Sequence, residues 1–337
     1  MKFTSNLIFL LVSSLCASTV CAGPPNKVWK GPSKSLGKGE ISTYVEFDVQ
    51  AKEIVEVGIE FTASMLDDLP TEVSDGKYDI ATCDYDPDPV NEMIGPWFCC
   101  GFEVELEFPK QAYTFQNSAR NGQMVFDHLV MNYNPQGHGP PGTDPDAGIY
   151  QGGPYSESHF DFHFYLIDRD TRLSVQPLDG CSFAPLDNFF AGTPIPMSVE
   201  DYNYLMEELP CDQIPPKHTY IPAVEPAMGA HMVDFCSPEY TGQSFSTTWI
   251  FGRQGGHLSF LEPMMTVDYL QDRNFAPQDI VLPEKAPKQG QYPQKYEVKF
   301  DYATEVYKIA LHDFTWKEES VSGKDCAQPY PGPLSCP

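Results

Sequence analysis

The chain has 337 residues, 47 of them Asp or Glu against 21 Lys or Arg, and a formal net charge of −26. A surface this acidic repels nucleic acid and anionic membranes, which excludes both as expected partners. The length is ample for one large domain or two smaller ones, and a hydrophobic fraction of 41% supplies a core.

Residues 1–22 read as a secretory signal peptide. Lys2 is the positive n-region, Leu7 to Val12 the apolar stretch, and Val20 and Ala22 the small residues before the cleavage point. The apolar stretch is too short to span a bilayer, and no later segment is long enough. Cys16 and Cys21 leave with the leader. Cys83, Cys99, Cys100, Cys181, Cys211, Cys236, Cys326 and Cys336 remain, an even number that predicts disulfides in a secreted chain. No C-x-x-C pair is present, which argues against a zinc knuckle.

Residues 23–38, rich in Pro, Gly and Lys, read as a flexible lead-in, 39–315 as a single β-rich domain, and 316–337 as a disulfide-tethered tail. Ile41, Thr43, Val45, Phe47 and Val49 alternate with other residues, as do Val55, Val57, Ile59 and Phe61, so two strands joined at 50–52 are expected. The segment 75–95 is acidic and turn-rich; its Asp84, Asp86 and Asp88 lack the glycine and distal glutamate of a calcium loop. Phe102, Val104, Leu106 and Phe108 mark another strand. Residues 123–133 lead as a strand into a Gly/Pro loop containing His138. Ser198 and Asp201 have capping-box spacing ahead of a helix that Pro210 stops, with Val199, Tyr202, Leu205 and Leu209 as its buried stripe. Further strands are expected at 245–251, 257–262, 294–300 and 304–314. The fold class is mainly β, an antiparallel sandwich or barrel with a few short helices, α+β being the alternative.

The chemistry concentrates in His159-Phe-Asp-Phe-His-Phe-Tyr165. Side chains alternate across a strand, so the phenylalanines share one face and His159, Asp161, His163 and Tyr165 the other. Such polar groups are costly to bury unless they pair, hydrogen-bond or bind a metal. A strand rises about 3.3 Å per residue, which places His159 and His163 roughly 13 Å apart and next-but-one neighbours about 7 Å apart. The chelating pair is therefore His159 with Asp161 or Asp161 with His163, and His231 is the candidate third ligand. A bulge would shorten the span and admit a three-histidine site. Two imidazoles and a carboxylate suit iron, copper or zinc. Glu262 is a candidate fourth ligand or general base, and Asp161, Tyr165 and Glu262 are the candidate catalytic groups. A metal-free site and an inert hydrogen-bonded seam are the competing readings.

Several motifs together resemble a mostly bacterial family of secreted or lipid-anchored proteins. They are Leu36-Gly-Lys-Gly39, Val57-Gly-Ile-Glu-Phe61, Asn134-Pro-Gln-Gly-His138 with Pro140-Pro-Gly142, His159 to Tyr165, Met228-Gly-Ala-His231 with Asp234, and Phe260-Leu-Glu-Pro-Met264. The resemblance implies a shared fold and site over roughly residues 31 to 315, and brings no established activity. Tyr133 and Met232 stand where that family carries Trp, and Ser158 where it carries Pro. In size, leader, acidity and cysteine content the chain is also similar to the secreted luciferases of luminous marine worms, without a shared motif. The expectation is a secreted enzyme using a divalent metal to oxidise a small organic substrate, luciferase-type oxidation being one case. The alternatives are a metal-dependent hydrolase or lyase, and a non-catalytic binding or structural protein.

Overall fold

A computed structural model describes residues 26–69, 94–97, 101–114, 124–134, 154–155, 157–175 and 197–321. The signal peptide, Asp84, Asp86 and Asp88, His138, and the cysteines other than Cys211 and Cys236 lie outside the described residues.

In chain order the first strands are β1 (Lys27–Lys30), β2 (Lys34–Leu36), β3 (Gly39–Asp48), β4 (Glu53–Thr62), β5 (Ile94–Trp97), β6 (Gly101–Glu107), β7 (His128–Asn134) and β8 (His159–Tyr165). They are followed by β9 (His218–Glu225), β10 (Gly229–Asp234), β11 (Thr247–Gln254), β12 (His257–Thr266), β13 (Gln278–Asp279), β14 (Gly290–Asp301) and β15 (Val306–Lys317). Helices among the described residues are short: α1 (Lys110–Thr114), α2 (Arg169–Arg172), α3 (Val199–Leu205) and α4 (Val267–Asp272). None is long and apolar enough to cross a membrane.

The strands form two antiparallel sheets, neither closed into a barrel. The first has the order β1-β3-β4-β15-β14-β13, with β2 also paired to β3; the second has the order β5-β6-β7-β8-β12-β11-β10-β9. Local chemistry sets the hairpins. Between β3 and β4, Asp48 Oδ1 accepts from the Gln50 and Ala51 N–H groups, and Lys52 takes a left-handed conformation. Residues 26–38, read as a lead-in, carry β1 and β2, because Lys27–Lys30 and Lys34–Leu36 pair with successive stretches of β3.

One core lies between the sheets. Ile41, Val45, Val57, Ile59, Ile309 and Leu311 of the first sheet pack in the same cluster as Leu129, Met131, Phe160, Phe162, Phe164 and Phe251 of the second. Trp249 of β11 meets Tyr296 of β14 at a ring distance of 5.1 Å. The second sheet's other face is covered too, by three smaller apolar clusters built around Tyr165 and Phe260, Tyr155 and Phe245, and Leu205 and Val224.

The helix after Ser198 is shorter than its sequence pattern. The Ser198 hydroxyl caps it by accepting from the Asp201 N–H, but α3 ends at Leu205. Gly255 N–H donates to the Tyr204 carbonyl and Arg253 Nη1 to the Glu207 carbonyl, so β11 and the turn after it take up carbonyls near the helix end and the chain peels away. Of the expected stripe, Leu205 is buried within the helix, Leu209 is buried beyond it, and Val199 is 52% exposed.

Candidate metal centre

The alternation at 159–165 places Phe160, Phe162 and Phe164 in the main core and His159, Asp161, His163 and Tyr165 on the opposite face, and all seven are buried. On β7 the same alternation places Leu129, Met131 and Tyr133 in the core, leaving Val130, Asn132 and Asn134 beside the polar face of β8. β12 flanks β8 on the other side. The register that pairs Leu261 with Phe164 and Met264 with Asp161 sets Glu262 opposite His163.

His231 reaches the same place from two strands away. It pairs with Gly252 of β11, and Gly252 pairs with Phe260 of β12. Gly252 leaves the gap across which the Phe260 ring lies: a Cβ there would sit 2.0 Å from that ring. Register shifts between Ala230 and Met232, and between Gly252 and Arg253, mark bulges beside both residues. Bulges re-aim side chains, and this one lies at His231.

His163, His231 and Glu262 each offer a ligand atom, all within 4.8 Å of one another. His163 Nε2 is 3.3 Å from Glu262 Oε1, and His231 Nε2 is 3.8 Å from Glu262 Oε2. Neither His163 Nε2 nor Glu262 Oε2 has a hydrogen-bond partner among the described residues. The three groups thus approach one another without satisfying one another, the disposition expected around a shared cation. His163 and Glu262 are each 1% exposed and His231 is 9% exposed, so His231 is the outermost of the three. Phe260 presents its ring to both imidazoles, at 4.8 Å from His163 and 5.4 Å from His231.

Burial governs the charges. Desolvation pushes the His163 imidazole down to about 3, against the pull of Asp161. Desolvation, reinforced by the Asp161 charge, holds the Glu262 carboxyl well above the usual range. A divalent cation among the three would keep the imidazole neutral, as burial already does, and would reverse the penalty on the carboxylate by favouring its ionised form. Two nitrogens and one carboxylate leave coordination positions open.

Asp161 and His159 form a separate pair beside this cluster. His159 Nδ1 donates to the Glu157 carbonyl at 2.5 Å, and Nε2 is 3.2 Å from Asp161 Oδ1. Asn134 Nδ2 donates to Asp161 Oδ2 at 2.7 Å. Of the candidate ligands, the structure therefore groups His163 and His231 with Glu262, and groups Asp161 with His159 and Asn134. The Tyr165 hydroxyl donates to the Met228 carbonyl at 3.3 Å, and its ring stacks on His128 at 4.7 Å with the Arg172 guanidinium 5.4 Å from its centre. Asn132, Asn134, Gly252 and Phe260 belong to the surroundings of the site; Asn134 and Phe260 enter the sequence reading only as members of motifs, and Asn132 and Gly252 do not enter it. The asparagines do have a signal: two amides at next-but-one positions in a strand that is apolar or aromatic elsewhere after His128. Gly252 has none, because its role depends on a ring from the neighbouring strand.

Asp234, the last residue of the His231 motif, has a local role: its Oδ1 accepts from the Cys236 N–H. Cys211 and Cys236 are each in a disulfide. Comparison with known protein families, curated proteins and solved structures finds no match to this chain.

Proposed function

We propose that this protein is a secreted metal-dependent enzyme that uses dioxygen to oxidise a small organic molecule, with His163, His231 and Glu262 as ligands of iron or copper. The observation that carries the reading is the convergence of three ligand atoms within 4.8 Å on a buried face. The setting favours oxidation. Phe260 stands against both imidazoles, and Phe245 lies edge-on to His159 at 5.3 Å, walls that suit an apolar substrate and a dry site. Bound there, the metal supplies redox chemistry and a charge that orients the substrate. The protein's own groups then hold it. Glu262 offsets the cation's charge, and Asp161, clamped by Asn134 and His159, keeps a carboxylate beside the substrate as proton acceptor. Secretion is supported by the leader pattern and by the bonded state of Cys211 and Cys236.

The alternative is a zinc-dependent hydrolase or lyase on the same ligands, favoured by the resemblance of a two-histidine, one-glutamate set to hydrolytic zinc sites. Elemental analysis of the secreted protein separates the readings, together with the same measurement on Glu262→Gln and His231→Ala. Iron or copper that is lost in both variants, with substrate-dependent oxygen uptake, supports oxidation. Zinc supports hydrolysis. Folded protein that takes up none of the three metals from stoichiometric solution refutes both and leaves a hydrogen-bonded polar seam.

A further inference from the structure

We infer that Asn132, together with Asp161, forms a subsite for the N–H or O–H group of a small organic ligand held at the metal centre; this rests on the reading of His163, His231 and Glu262 as metal ligands.

Arg172 is buried and donates from Nη1 to Glu103 Oε1 at 3.2 Å and from Nη2 to Glu105 Oε2 at 2.6 Å. That anchors the Glu103 carboxylate, whose Oε2 accepts from Asn132 Nδ2 at 3.3 Å. A carboxylate accepts and does not donate, so it decides which way the amide points: nitrogen toward Glu103, oxygen away. Asn132 is 0% exposed, and its Oδ1 accepts from no donor among the described residues. A buried acceptor left so destabilises the fold unless a ligand supplies the proton.

The neighbours of that oxygen define the ligand. Asn132 stands directly across from Asp161 in the β7–β8 register. Asp161 is itself an acceptor, already approached by Asn134 Nδ2 and His159 Nε2. The complement of an amide oxygen beside a carboxylate is a hydrogen-bond donor. Two residues along the same face of β8 lies His163, with Glu262 opposite it. A ligand with one atom on the metal and an N–H or O–H a few ångströms away meets both demands. Buried polar groups of this kind reject analogues that lack the donor, because binding them leaves the protein group unpaired.

Imidazole and 1-methylimidazole test this as probes. Both bind a metal through one ring nitrogen, and only imidazole presents an N–H on the other side. Protein loaded with Co²⁺ is titrated with each, and affinity is read from the visible Co²⁺ absorption. Wild type should prefer imidazole by at least ~10-fold more than aqueous Co²⁺ does. Asn132→Leu keeps the volume and removes the acceptor, so it should erase most of that preference by weakening imidazole alone. A wild-type preference equal to that of aqueous Co²⁺, or one that survives Asn132→Leu intact, overturns the subsite while leaving the metal centre standing. Failure of wild type to bind Co²⁺ overturns the metal centre and the subsite with it. Should Asn132→Leu not fold, thiazole, which lacks the N–H without added methyl bulk, replaces the variant. Discrimination against thiazole no greater than that of aqueous Co²⁺ then refutes the proposal.

Discussion

Gly252→Ala is a one-carbon change whose consequences follow from packing alone. An ideal Cβ at position 252 would lie 2.0 Å from Phe260 Cε1 and 2.2 Å from Cδ1 and Cζ, where ordinary contact begins at 3.4 Å. The ring must retreat by more than an ångström. Its surroundings are closed: Phe260 is fully buried, with His163, His231 and Tyr165 within 5.4 Å of its centre. Overpacking of this kind costs about 1–3 kcal/mol. At roughly 2–4 °C per kcal/mol for a large domain, the melting temperature should fall by several degrees. The displaced ring also pushes on two ligands, and misplacing groups around a metal lowers affinity by about 10–100-fold. The assays are thermal melting with chelator present and Co²⁺ titration of the folded variant. Removing the ring's bulk in Gly252→Ala/Phe260→Leu relieves the clash, so the two changes should be less than additive by about 1 kcal/mol or more. A Gly252→Ala protein that melts and binds Co²⁺ like wild type would refute the packing argument and the claim that Phe260 positions the ligands.

Asp161→Asn and Phe162→Leu, neighbours on opposite faces of β8, should separate function from stability: the first folds but loses metal affinity and oxidation, because a neutral amide cannot offset cationic charge. The second loses about 1 kcal/mol or more of stability and stays active when folded; unchanged metal affinity and activity in Asp161→Asn would sink the role given to that carboxylate. His218 predicts a pH effect outside the site. Burial lowers its pKa from 6.5, outweighing the contacts of its ring nitrogens with the Pro216 and Trp249 carbonyls. The unfolded chain therefore binds the proton more readily, so this contribution is complete above pH 6.5 and is lost as pH falls below it, with a slope of at most about 1.4 kcal/mol per pH unit. Urea midpoints between pH 8 and 5.5 should fall more steeply in wild type than in His218→Gln, and the opposite order would contradict the assignment. Thiol titration in denaturant without reductant should find Cys211 and Cys236 unreactive, and labelling of either one would exclude its bond.

The alternation at 159–165, and that of β3, β4 and β6, was readable because a strand sends its side chains to two faces and a half-apolar period of two has few other solutions. The same rule identified which residues of β8 carry chemistry. It left open which of them meet. His159, Asp161 and His163 are equivalent by spacing, and Glu262 by itself was a carboxylate before a proline. Register decided the grouping: β12 sets Glu262 opposite His163, and β10 with its bulge brings His231 across Gly252. Helix α3 shows the same division. Ser198 begins it as its sequence implies, whereas its end depends on β11 capturing carbonyls at the turn. The chain alone determined strands such as β3, β4, β6 and β8, their two faces and the start of α3, since these depend on neighbours in sequence, whereas β1 and β2 exist by pairing with β3. Tertiary structure decided the grouping of His163, His231 and Glu262, the orientation of Asn132 and the need for glycine at 252, since each depends on strands far apart in the chain being held at one register.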